Sequence, residues 1–153
     1  MSSNRDSRVR RYDLVTPMIP CKDEVLAGIE RIIMTGNYIL GEEVRTLERD
    51  MAEQCGVADA VGVASGSEAL YLALAMAGVR PGSEVITTPY TFEATIEAVI
   101  MLHARPVFVD IRPGDLNLDP ELLAGAISPR TRAILLCNPG NPTGAVMTRD
   151  ELA

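Results

Sequence analysis

The sequence predicts an α/β fold in which a mostly parallel sheet carries helices on both faces. Short apolar runs alternate with longer amphipathic runs from residue 60 onward, and this alternation is typical of βαβ units. The predicted strands cover residues 60–64, 84–88, 106–111 and 132–137. The predicted helices between them cover residues 67–77, 92–102 and 120–126.

Two more helices are predicted before the first strand. One covers residues 23–34, with Asp23 as its cap, and ends at Gly36; the other covers residues 42–55 and ends at Gly56. Residues 1–12 are polar and are interpreted as an arm. We therefore divide the chain into residues 1–35, the arm and first helix, and residues 36–153, the beginning of a larger α/β domain.

Composition excludes several classes of protein. The 153 residues are 47% hydrophobic and 23% charged, which is ordinary for a folded domain. A net charge of −7 disfavours nucleic-acid binding. The three cysteines form no CxxC pair, so neither a zinc site nor a disulfide framework is indicated. The sequence shows no signal peptide or membrane span, and we expect a cytoplasmic protein.

The turn Ser65-Gly66-Ser67-Glu68 follows a predicted strand and opens a helix. The free N–H groups of Gly66, Ser67 and Glu68, together with the Ser67 hydroxyl, would hold a phosphate at the helix N-terminus. The alternative is that Ser67 only caps its helix and Glu68 complements the dipole. The turn matches neither GxGxxG nor a Walker loop, so a nicotinamide dehydrogenase lacks its fingerprint.

Two other motifs also follow predicted strands, where ligands bind in parallel sheets. Phe92 offers an aromatic face to a planar cofactor, or simply packs the joint between sheet and helix. Asn141 lies in the stiff turn NPGNPTG, where its amide would reach a ligand oxygen; the alternative is an ordinary Asn-Pro turn.

Taken together, SGSEALYLALAMAGVRPGSEVITTPYTFEAT and ARPVFVDIRPGDLNLDPELLAGAISPRTRAI resemble fold-type-I pyridoxal-phosphate (PLP) enzymes, and most closely the DegT/DnrJ/EryC1/StrS aminotransferases. The resemblance implies the large PLP-binding domain of the aspartate-aminotransferase-like fold, incomplete at its C-terminus. It also implies that Ser67 and the Gly66–Glu68 amides bind the cofactor phosphate and that Phe92 stacks on the ring. The implied substrates are a small-molecule amino donor and a keto acceptor, above all a nucleotide-linked sugar. The full-length enzyme is implied to be a homodimer.

The last residues depart from that family. CNPGNPTGAVMTRDEL resembles class I/II aminotransferases, in which the residue matching Asn141 hydrogen-bonds the cofactor's phenolic oxygen. An amino-acid substrate is therefore an open alternative to a nucleotide sugar.

Both branches need two residues that this sequence does not supply at matching positions. These are the Asp that pairs with the pyridine nitrogen and the lysine that forms the Schiff base; the only lysine is Lys22, which precedes the first predicted strand. A capped helix start at residues 148–152 suggests the front part of a longer enzyme. We expect the chain alone to be inactive, with residues 60–64 lacking a neighbouring strand. A non-catalytic PLP- or phosphate-binding module and an inactive truncated product are the alternatives.

Overall fold

The computed structural model describes residues 13–152, so the predicted arm at residues 1–12 lies outside the described part. The described residues form two compact units that meet at the bond between Gly62 and Val63. The boundary after residue 35 stays a prediction.

The first unit contains a 3₁₀ turn and two helices. The turn is Thr16–Met18, α1 is Lys22–Thr35 and α2 is Glu42–Cys55. Asp23 was expected to cap α1, but Cys21 takes the cap position and Asp23 lies in the first turn. In the first turn its carboxylate interacts favourably with the positive end of the helix dipole, so an acidic side chain is stabilising there as well as at the cap. Gly56 ends α2 in the left-handed conformation, as predicted.

The second unit is built from alternating helices and strands. Its elements in order are α3 (Gly66–Met76), β1 (Glu84–Thr87), α4 (Glu93–Met101), β2 (Arg105–Phe108), α5 (Pro120–Ala126) and β3 (Thr131–Ile134). The three strands are parallel, in the order β2-β1-β3, with Val85 opposite Pro106 on one side and Ala133 on the other. The α/β prediction and the parallel sheet are thus confirmed, although each strand is shorter than predicted.

The predicted strand at residues 60–64 is not formed. A strand exists only when its backbone is paired, and within residues 13–152 this segment pairs with no other. The N–H of Gly62 donates instead to the Glu48 carboxylate at 2.7 Å, and Val61 is 79% exposed.

Helices cover both faces of the sheet. Val85 points to the face covered by α3 and α4, where it packs in a cluster with Leu74 and Val99. Ile86, its neighbour in β1, points to the opposite face and packs with Val109, Leu118 and residues of α5. All four residues of the central strand β1 are buried, so helices must cover both faces of the sheet, which gives the three layers α/β/α.

The predicted helix at residues 148–152 is only a single turn in the described part of the chain. Thr148 and Glu151 form the expected capping box: the Glu151 N–H donates to Thr148 Oγ1 at 3.3 Å, and the Thr148 N–H donates to Glu151 Oε2 at 2.8 Å. Within residues 13–152, no helix is long and apolar enough to cross a membrane.

A buried carboxylate joins the amino ends of the strands. The Glu84 side chain is 5% exposed and accepts hydrogen bonds from the Ser128 hydroxyl at 2.5 Å and from Arg130 Nη2 at 2.7 Å. Arg105 Nη1 lies 3.5 Å from the same carboxylate. The hydrogen bond from Ser128, followed by that from Arg130, holds the pKa of Glu84 below the usual glutamate range.

Replacing Glu84 with Gln is expected to lower the temperature of thermal unfolding most at neutral pH. A depressed pKa means that the carboxylate stabilises the fold above its unfolded pKa, and this contribution disappears as pH falls through the folded pKa. The deficit of E84Q should therefore shrink on acidification, as followed by circular dichroism over a pH series. Glu97→Gln, on the exposed side of α4, is the control. A deficit that is independent of pH would contradict the role assigned to the charge.

Candidate functional site

The N-terminus of α3 is closed by Ser65 rather than by Ser67. Ser65 is extended and its Oγ accepts from the Glu68 N–H at 3.1 Å, while Glu68 Oε2 accepts from the Ala64 N–H at 2.8 Å. The alternative in which Ser67 caps the helix is therefore wrong, whereas Glu68 does lie in the first turn, where its charge complements the helix dipole. The phosphate interpretation also needs a correction, because the Glu68 N–H already has an acceptor.

Two N–H groups and one hydroxyl remain available at this helix end. Within residues 13–152, the N–H groups of Gly66 and Ser67 have no hydrogen-bond acceptor, and both residues are exposed. A Cβ added to Gly66 would meet nothing within 4 Å. Ser67 lines an open cavity of about 560 Å³ together with Tyr71, one turn further along α3. An oxyanion therefore has two donors, a hydroxyl and the positive helix dipole in open space.

Phe92 lies at the start of α4 and is 57% exposed. Its ring lines a cavity of about 360 Å³ with Leu70 and with the residues after β3, Asn138 and Pro139 among them. Leu70 follows Ser67 by three residues on α3, so the two lie on neighbouring positions of one helix face. The face of the helix that carries Ser67 thus continues into the cavity beside Phe92.

Asn141 lines a different space. It lies beside Thr88, Tyr90 and Asn117 in a cleft of about 20 Å³, which is too narrow for an aromatic ring. The Phe92 cavity and the Asn141 cleft share Cys137 as a lining residue. The structure therefore places the predicted residues in three cavities of the second unit rather than in one. The cavity at Ser67 shares no lining residue with the other two.

The turn that carries Asn141 is closed by its own hydrogen bonds. The Gly140 N–H donates to the Ala145 carbonyl at 2.8 Å, and the Met147 N–H donates to Asn138 Oδ1 at 2.9 Å. Met147 is buried, which anchors the end of the segment. The stiffness expected from the two prolines is thus reinforced by backbone pairing.

An ionic cluster lies beside this turn. Arg112 contacts Asp115 and, at 2.7 Å, Glu151. Burial works to raise the pKa of Asp115, but hydrogen bonds from Arg112 and Asn117 outweigh it and the pKa falls below its usual range. The pKa of Glu151 is lowered chiefly by the Thr148 N–H and then by Arg112. These carboxylates therefore stay ionised at neutral pH. Among the described residues, no group of three side chains that could hold a metal ion occurs.

Sequence reasoning missed Ser65 as the cap, and it gave no site role to Asn117 or Cys137. The pattern Ser65-x-x-Glu68 is a capping box and was a signal for the first of these. No local signal places Asn117 beside Asn141, because the two positions differ by 24 in residue number.

Comparison with known proteins adds to this geometry. The sequence model of the DegT/DnrJ/EryC1/StrS aminotransferase family matches residues 21–146. The chain belongs to this family. The match extends through the turn at residues 138–144, so the departure seen there lies within an aligned segment.

Individual relatives agree with the family assignment. The UDP-2-acetamido-2-deoxy-3-oxo-D-glucuronate aminotransferase of Pseudomonas aeruginosa is 46% identical over 123 residues, covering 80% of this chain and 34% of that protein. DesV of S. venezuelae, solved in complex with a ketimine intermediate, is 39% identical with a TM-score of 0.86, covering 95% of this chain and 38% of that one. NtdA of Bacillus subtilis, solved with bound cofactor PMP, is 28% identical with a TM-score of 0.78, covering 87% and 31%. The chain spans about a third of the length of the curated relatives it matches.

Proposed function

We propose that this chain supplies the phosphate and ring contacts for pyridoxal 5′-phosphate in an aminotransferase that transfers an amino group from a small-molecule donor to a keto group of a nucleotide-linked sugar. The observation that carries the proposal is the open N-terminus of α3, whose Ser67 face continues into the cavity beside the exposed ring of Phe92. Family membership and a relative named for a UDP-linked keto sugar support the same substrate class.

The described residues fit such a cofactor. The Gly66 and Ser67 N–H groups and the Ser67 hydroxyl would donate to the phosphate, and the helix dipole would favour its charge. Phe92 would cover one face of the ring and exclude water from it. Because the cleft beside Asn141 is too narrow for a ring, we assign the ring to the Phe92 cavity.

The Asn141 cleft adjoins the Phe92 cavity at Cys137, so we assign Asn141 to the phenolic oxygen at the edge of a ring held in the Phe92 cavity. An amide N–H donating to that oxygen favours its deprotonated form, so Asn141 would hold the proton off the phenol. When bound, the cofactor supplies an electron sink for the bond-breaking steps of transamination. The class I/II likeness of this turn, with an amino-acid acceptor, remains the second candidate, and the NPGNPTG turn is the observation in its favour.

Three further expectations belong to this proposal. The chain forms the front part of the enzyme, the complete enzyme is a homodimer, and it works in the cytoplasm. A non-catalytic PLP-binding module would use the same contacts without turnover.

Cysteine protection tests where the cofactor binds. Cys137 lines both cavities and its thiol is exposed, so saturating PLP is expected to slow alkylation of Cys137 about tenfold or more, as a hydrogen-bonded ligand excludes reagent from its site. Cys21 and Cys55 belong to the first unit and serve as internal controls. Mass spectrometry of a time course with an iodoacetamide reagent measures all three rates together. Equal protection of all three thiols, or of none, would count against the assigned site.

A further inference from the structure

Asn117 is a buried polar side chain in the loop between β2 and α5, only 5% exposed. Its backbone N–H donates to Asp115 Oδ1 at 3.1 Å, and its side-chain Nδ2 donates to Asp115 Oδ2 at 3.2 Å. One carboxylate therefore fixes both the backbone and the amide plane of Asn117.

The loop that carries Asn117 is itself held rigidly. Arg112 donates from Nε to Asp115 Oδ1 at 3.3 Å and pairs with Glu151 at 2.7 Å. The Arg112 N–H also donates to the Asn117 carbonyl at 2.9 Å. Arg112 thus connects the Asn117 loop to the segment that follows the Asn141 turn.

Asn117 lies directly against that turn. A Cβ added to Gly140 would lie 3.3 Å from Asn117 Oδ1 and 3.0 Å from Thr143 Oγ1, so a side chain at this position would push on both groups. The Gly140 carbonyl accepts from the Gly144 N–H at 2.7 Å, which closes the turn on its other side. Asn141, the next residue, lines the same cleft as Asn117.

We propose that Asn117 is a positioning residue: held by Asp115 and Arg112, it fixes the turn at residues 140–144 and thereby sets the Asn141 amide on the phenolic oxygen of the cofactor. The inference rests on the proposed function. Its experimental signature is that Asn117 acts only through Asn141.

A double-mutant cycle on the whole chain tests this dependence. Asn141→Ala and Asn117→Ala are each expected to weaken PLP binding about three- to tenfold, the range for one lost hydrogen bond, in a spectrophotometric titration. The double variant is expected to bind no more weakly than Asn141→Ala, because Asn117 has nothing left to position. Asn37→Ala, an exposed asparagine of the first unit, is the matched control and is expected to bind normally.

The protonation state of the bound cofactor provides a readout that a general loss of structure does not mimic. Loss of the Asn141 hydrogen bond should raise the pKa of the cofactor phenol, seen in the pH dependence of its absorption band. Asn117→Ala should raise it in the same direction, and Asn117→Ala added to Asn141→Ala should leave it unchanged. Independent, additive losses in the cycle would overturn the proposal.

Amide hydrogen exchange separates a failure of this inference from a failure of the proposed function. Exchange at the Gly140 and Gly144 N–H groups, both hydrogen-bonded, should accelerate in Asn117→Ala without any cofactor present. If Asn117→Ala does not fold, Gly140→Ala disturbs the same contact from the other side and should accelerate exchange at Gly144. Unchanged exchange overturns the positioning role even where PLP binds. Accelerated exchange without saturable PLP binding by the unmodified chain overturns the cofactor assignment, and with it the final step of the proposal.

Discussion

A Ser67→Asp variant is expected to bind PLP at least about a hundredfold more weakly than the unmodified chain. The new carboxylate would lie where the two available N–H groups meet the phosphate, and two like charges about 4 Å apart repel by about 4 kcal/mol at an effective dielectric constant near 20. A repulsion of that size corresponds to about a thousandfold in affinity. Some of it is relieved when the side chain turns toward solvent, which is why we expect a hundredfold as the lower bound.

The same substitution should leave the fold intact or slightly more stable. Aspartate in the first turn of a helix interacts favourably with the dipole, and Ser65 rather than Ser67 provides the cap. Ser67→Asp therefore separates phosphate binding from folding, whereas Ser65→Ala would disturb both.

Fluorescence or absorbance titration with PLP measures the loss, and thermal unfolding verifies the fold. Ser83→Asp is the matched control, because it adds the same charge to the same unit. The new carboxylate can still accept the hydrogen bond that the Arg80 N–H now donates to the Ser83 hydroxyl. Its affinity for PLP should stay within about twofold of the original, the scale of a distant screened charge. Equal weakening by both variants would show that net charge, not the α3 N-terminus, controls binding.

The helices and the order of the sheet elements could be predicted because their signals are local. Gly56 stops α2 by its left-handed conformation, and Pro120 starts α5 behind the Asp119 cap, so both helices have the predicted bounds. Strand ends depend instead on partners. The strand predicted at residues 106–111 ends at Phe108 because β1 stops at Thr87, and Ile111 turns away to pair with Leu118.

The candidate site shows the same division between local and distant information. Phe92 and Asn141 follow β1 and β3, so their positions at the carboxyl edge of the sheet are a consequence of the βαβ pattern. Ser65 and Ser67 are two residues apart, and helix boundaries predicted from sequence are uncertain by about that much. The helical pattern alone therefore does not decide which serine caps α3. The contact of Asn117 with Gly140 depends on how two loops after different strands pack, and periodicity carries no information about it.

The chain alone is expected to show no transamination while it still binds PLP. The covalent chemistry of this cofactor needs a lysine amine, and the only lysine is Lys22, an exposed residue at the start of α1. Lys22 belongs to the first unit, whereas Ser67, Phe92 and Asn141 belong to the second. A Lys22→Arg variant should therefore bind PLP with unchanged affinity, because the proposed phosphate and ring contacts do not include this amine.

Titration of the unmodified chain, Lys22→Arg and Ser67→Asp with PLP distinguishes two modes of binding. If the α3 N-terminus holds the cofactor, Ser67→Asp loses PLP binding and Lys22→Arg keeps it. Borohydride treatment followed by mass spectrometry should then find no selective labelling of Lys22. If the Lys22 amine captures the aldehyde, Lys22→Arg loses PLP binding while Ser67→Asp keeps it, and the phosphate site proposed at the α3 N-terminus is wrong. Turnover of an amino donor by purified chain, persisting in Lys22→Arg, would contradict the expected inactivity. Binding without turnover is therefore the outcome we expect, since the proposed contacts would orient a cofactor but supply no amine at its reactive carbon.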